Sequence, residues 1–134
     1  AQHADASGNS QQNKLILYSL FLYLCPMPVE TLLIYCTCPD RESAERIAGN
    51  LVDDGLAACV NIIPGAISIY QWQGKRERAE ESMLLIKAGR QRYSELEQKI
   101  VTLHPYELPE IIAVPVEQGL PDYLHWVQQC TTKQ

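Results

Sequence analysis

From Val29 onward, short apolar runs alternate with stretches whose apolar residues recur every three or four positions. Thr31 to Thr37 (TLLIYCT) carries no charge and is rich in β-branched and aromatic side chains, the pattern of a strand buried on both faces. Cys38-Pro39-Asp40 breaks it. Asp40 to Asp54 then sets Ala44, Ile47, Ala48, Leu51 and Val52 on one helical stripe, with Asp40 placed to cap the start and Gly55 to end it. Leu56 to Gln73 reads as a long strand, and Pro64-Gly65 within it predicts a bulge or bend. Past the bend the residues alternate, so Tyr70 and Trp72 share a face. Gln73-Gly74-Lys75-Arg76 has hairpin turn chemistry, and a return strand runs roughly from Ala79 to Ala88. A second helix spans Arg90 to Leu103, with Tyr93, Leu96, Ile100 and Leu103 on its core stripe, and His104-Pro105 ends it. Ile111 to Val116 is a further strand, and Pro121 opens a short last helix through Val127. The order β-α-β-β-α-β plus a C-terminal helix predicts an α+β, ferredoxin-like fold: an antiparallel sheet with two helices on one face.

The first 28 residues have a different texture. Ala1 to Lys14 is polar and low in complexity, which predicts disorder. Leu15 to Cys25 is an uncharged run too short to span a bilayer comfortably. Residues 1–28 therefore read as a disordered or non-native leader, and residues 29–134 as a single domain.

Charge and cysteine content narrow the class further. The net charge of -5, with Lys and Arg scattered, gives no basic stripe for nucleic acid. No membrane partner is expected either. Five cysteines without regular spacing do not make a secreted disulfide framework, so buried reduced thiols in a cytoplasmic protein are expected. No P-loop, GxSxG, GxGxxG or HExxH string occurs, and the chain is read as a binder without catalytic activity. Cys36 and Cys38 form a Cys-x-Cys pair whose thiols share one face of a strand, and thiolates are soft ligands suited to Cu(I) and zinc. In the expected topology Cys36, Cys38, Trp72, Lys75, His104, Tyr106 and Glu110 gather at one rim, a candidate cleft completed by a neighbouring subunit. Tyr70 and Trp72 read as aromatics that pack between the subunits of a trimer rather than as ligand contacts, His125 as surface, and Glu80-Glu81 and Asp53-Asp54 as solvated faces. The long strand from Leu56 overruns the first strand and leaves exposed edges, which a closed ring of copies would cover.

Six strings occur in order, each on an expected element: CTCPD (36–40), LAACVNIIPG (56–65), SIYQWQGK (68–75), MLLIK (83–87), HPYELPEIIAVPVEQG (104–119) and DYLHWV (122–127). In them the chain resembles the CutA family. The resemblance implies a ferredoxin-like subunit, a homotrimer, and a role in tolerance to divalent metals such as copper. It also implies Cys36, Cys59 and His104 as candidate metal ligands. Some members carry a doubled histidine before the proline, where this chain has Leu103-His104. The topology puts Cys36 and Cys59 at opposite ends of the sheet, roughly 17–20 Å apart, which argues against one subunit bringing both to one ion. The trimer is similar in fold to PII signalling proteins, so the alternative is a signalling or adaptor trimer binding a small molecule or partner protein in intersubunit clefts.

Overall fold

The computed structural model of the chain describes residues 11–17 and 30–133. Residues 11–17 are helical and exposed. The rest of the segment read as a leader lies outside the described residues. Along the domain run β1 (Thr31–Cys38), α1 (Arg41–Asp53), β2 (Cys59–Trp72), β3 (Lys75–Gly89), α2 (Tyr93–Leu103), β4 (Ile111–Pro115) and α3 (Pro121–Thr131). A short 3₁₀ turn, Arg90–Arg92, leads into α2. The sheet order is β2-β3-β1-β4, with each adjacent pair antiparallel. This is the expected split βαβ arrangement, with the third strand between the first two.

Alternation along β1 divides the molecule. Leu32, Ile34, Cys36 and Cys38 point to one face and are buried. With Leu84 and Ile86 of β3 they meet Ala44, Ile47 and Leu51 of α1 and Leu96 and Ile100 of α2 in one core cluster. On the opposite face Leu33 and Tyr35 are only half-buried, so the expectation that β1 is covered on both faces is corrected. The reason is that α1 and α2 both pack on the first face, and α3 covers only one end of the second. There the Thr131 hydroxyl accepts the Gly89 N–H at 3.0 Å, and the Gln128 amide donates to the Thr31 hydroxyl at 3.0 Å.

The local chemistry of the elements follows their residues. The Asp40 carboxylate accepts the Ser43 N–H at 2.7 Å and caps α1, a bond that holds the Asp40 carboxyl below its usual range. Gly55, with φ of 67°, supplies the left-handed turn after α1. Between Ile63 and Ala66 the β2–β3 register shifts by one residue, a bulge that uses Gly65 at φ 78°. Pairing then continues to Trp72 opposite Lys75. Because the hairpin register propagates through Lys75–Glu81 despite its charges, β3 begins at Lys75 rather than near Ala79. The last β1–β3 pair is Cys38 with Ser82, so residues 66–72 and 75–81 form an overhang with no third strand beside it among the described residues. The C-terminal helix reaches Thr131, beyond the expected end at Val127.

Ile34 and Leu84 have no exposed surface and sit at the centre of the core. Truncating either to alanine is expected to cost about 2–5 kcal/mol. Urea unfolding would read this as a lower midpoint with an unchanged slope; a shift under 1 kcal/mol at both would contradict the assigned core.

Candidate functional site

Two groups of chemically capable residues flank β1, one on each face. On the helix side, the donor atoms of Cys36, Cys38 and His104 lie within 4.8 Å of one another, and all three residues are buried. The strand delivers both cysteines to one face, and the chain turns at His104 because the following proline excludes helical backbone. The His104 backbone N–H still closes α2 on the Ile100 carbonyl at 2.8 Å. Its ring is committed at both nitrogens. Nδ1 accepts the Tyr106 N–H at 3.0 Å, so Nε2 carries the proton and donates to the Thr37 carbonyl at 2.7 Å. Nε2 is also 3.7 Å from the Cys38 sulfur.

The two thiols act as a pair. The Cys36 thiol is pushed far up, first by its hydrogen bond to Cys38 and then by burial. That same hydrogen bond pulls Cys38 down, so Cys38 is the one that ionises first.

On the other side of β1, the overhang and the segment after α2 enclose a cleft of about 760 Å³. Thr37, Glu81, Tyr70, Trp72, Tyr106 and Glu110 define it. The Tyr106 hydroxyl donates to Glu81 Oε2 at 2.7 Å, and the Thr37 hydroxyl donates to Glu110 Oε2 at 3.4 Å. Burial, then the contact with Glu81, raises the Tyr106 phenol well above its ordinary range.

The residues singled out in the sequence fall as follows. Cys36, Cys38 and His104 come together as a sealed cluster. Trp72, Tyr106 and Glu110 line the cleft, whereas Cys38 does not open into it and Lys75 sits exposed at the hairpin turn. Cys59 is separated from Cys36 in two ways. It pairs with Lys87, three positions along β3 from the Cys36 partner Leu84, which is about 10 Å along the strand. Three being odd, its side chain also projects from the opposite face of the sheet, where the Lys87 ammonium approaches it at 3.9 Å. Topology had suggested opposite ends; opposite faces is the stronger separation. Glu81 was missed. Read with Glu80 as a solvated face, it is only 6% exposed, because it shares the parity of Met83 and meets Tyr106 from the loop. That parity was visible in the sequence, but the tyrosine that covers Glu81 was not.

Fold and site together define a ferredoxin-like α+β domain with a buried Cys/His cluster and an acidic, aromatic-walled cleft. The chain belongs to the CutA1 family, described as divalent ion tolerance proteins, whose family model matches residues 32–130. Over 97 residues it is 47% identical to Protein CutA of Mus musculus, covering 72% of this chain and 55% of that protein, so it spans about half of that relative's length. It is 43% identical to the divalent-cation tolerance protein CutA of Thermus thermophilus over 98 residues, 73% of this chain and 95% of the relative. The crystal structure of CutA from Xylella fastidiosa superposes with a TM-score of 0.75 at 48% identity, covering 76% of this chain and 98% of that one.

The burial pattern predicts how the thiols react. Alkylation of the native protein at neutral pH is expected to modify the exposed Cys130 and, more slowly, the half-buried Cys59, and to spare Cys36 and Cys38 until denaturant is added. Peptide mass mapping checks this; early labelling of Cys36 would contradict the sealed cluster.

Proposed function

We propose that the chain serves divalent-cation tolerance as a homotrimer that binds or responds to metal ions, copper among them, without catalytic turnover. The observation that carries the metal part is the convergence of the Cys36, Cys38 and His104 donor atoms within 4.8 Å. The two thiols suit a soft ion such as Cu(I), and zinc is the next candidate. Cys36 and Cys38 would hold it, and the bound ion would supply the favourable energy of thiolate ligation. His104 fits less well, because a metal at Nε2 would displace its proton and the bond to the Thr37 carbonyl. Cys59 is left out of this ligand set.

Support for the trimer comes from the overhang. Ile67, Ile69, Tyr70 and Trp72 on it are all more than a third exposed, and its β2 edge has no partner strand among the described residues. Exposed apolar edges of this kind aggregate unless covered, and a closed threefold ring would cover one on every subunit. The proposal extends to a cytoplasmic location, supported by free cysteines of the kind a reducing compartment preserves.

Native mass spectrometry is expected to give three copies per particle at micromolar concentration. Titration of the reduced protein with Cu(I) and with Zn(II) is expected to show a site that Cys38→Ser abolishes, Cys36→Ser weakens at least tenfold, and Cys59→Ser leaves intact. Equal weak binding by all four proteins would overturn the metal reading.

A further inference from the structure

We propose that the thiol cluster is a two-coordinate site for a soft monovalent ion, Cu(I) or Ag(I), gripped between the Cys36 and Cys38 sulfurs with His104 left out. The inference rests on the reading that these cysteines hold a metal, and goes further by naming the charge of the ion, its coordination number and its ligands.

The donors still available set the coordination number. Among the described residues, Cys36, Cys38 and His104 bring donor atoms within 4.8 Å of one another. The imidazole is already spent. Its Nδ1 accepts the Tyr106 N–H at 3.0 Å, and its Nε2 donates to the Thr37 carbonyl at 2.7 Å. Coordination through either nitrogen would break one of these bonds and orphan a backbone group with little access to water. The nearby carboxylates are engaged as well. Asp40 caps α1 on the Ser43 N–H, Glu81 accepts the Tyr106 hydroxyl, and Glu110 accepts the Thr37 hydroxyl. None of the three joins the donor cluster. Two sulfurs remain.

Burial keeps that number from rising. Cys36 and Cys38 have no exposed surface within the subunit itself, so neither solvent water nor a side chain of a neighbouring copy reaches the sulfurs. The ligand count is therefore the same for one chain and for a trimer.

Two thiolates satisfy few ions. Zinc in a closed site almost always takes four ligands, and Cu(II) favours a tetragonal set of nitrogen and oxygen donors. Soft thiolates select Cu(I), whose filled d shell accepts a linear pair, and Ag(I) shares that habit. A linear sulfur–metal–sulfur unit spans about 4.6 Å, twice a metal–thiolate bond of about 2.3 Å, and the cluster is bounded by 4.8 Å. Alternation along β1 sends both sulfurs to one face, so the pair is set before an ion arrives.

Cu(I) and Ag(I), each added to the reduced full chain without oxygen, test the site, with Co(II) as the visible reporter of four-coordination. X-ray absorption of the Cu(I) form is expected to show two sulfur neighbours and no nitrogen. In the Ag(I) form the His104 Nε2 proton should persist in nitrogen-edited NMR spectra. His104→Gln should keep the two-sulfur copper spectrum and Cys38→Ser should lose it. Co(II) should not produce the intense visible bands of a tetrahedral thiolate site. A nitrogen neighbour at copper, or loss of the Nε2 proton on silver binding, overturns the two-coordinate site and leaves the metal reading in place. Tight Co(II) uptake with tetrahedral bands does the same. Failure of all three ions to bind removes the metal reading itself, and the two-coordinate site with it. Should His104→Gln not fold, the copper and silver spectra of the unmodified protein decide.

Discussion

His104 is bonded at both ring nitrogens inside the protein, and both flanks of β1 take their shape from that arrangement. Through Nε2 it pins the end of α2 to the Thr37 carbonyl, and through Nδ1 it holds the backbone of Tyr106. Tyr106, so placed, reaches across to Glu81. Losing the imidazole would leave a buried carbonyl and a partly buried N–H to be satisfied elsewhere, at roughly 1–3 kcal/mol each. It would also release the loop that forms one wall of the cleft. The same two bonds use the lone pair a metal would need, so the structural and ligand roles of this histidine compete.

The period of two along β1 keeps the flanking sites chemically separate although they are one residue apart. Cys36 and Cys38 face the helices in a dry, soft-donor environment, while Thr37 faces the cleft with its carboxylates and aromatic rings. Thr37 touches both, its carbonyl bonding His104 and its hydroxyl bonding Glu110.

The bulge at Ile63–Ala66 and the overhang past Cys38 do different work from the core. The core needs only the first half of the hairpin. The overhang contributes Tyr70 and Trp72 to the cleft while leaving apolar surface exposed and a strand edge unpaired among the described residues. Such a strand is economical only if something else covers it.

Much of this was legible in the residues themselves. Apolar periodicity gave every strand and α-helix from Thr31 onward in order, though not the helical residues 11–17; Asp40 and Gly55 marked the ends of α1, and Pro64-Gly65 marked the bulge. The Cys-x-Cys spacing placed both thiols on one face, since parity within a strand is a local property. Strand lengths were less legible: Lys75–Arg78 has the composition of a loop, and only cross-strand pairing makes it β-structure. What the sequence by itself determined about the protein was thus its family, its element order and the facing of side chains within each strand. The tertiary structure alone decided that Cys59 and Cys36 lie on opposite faces, that Glu81 is buried under Tyr106, and that His104 has no free nitrogen. Each of these depends on the register between strands or on a loop crossing from another element, and such long-range pairings leave no local pattern along the chain.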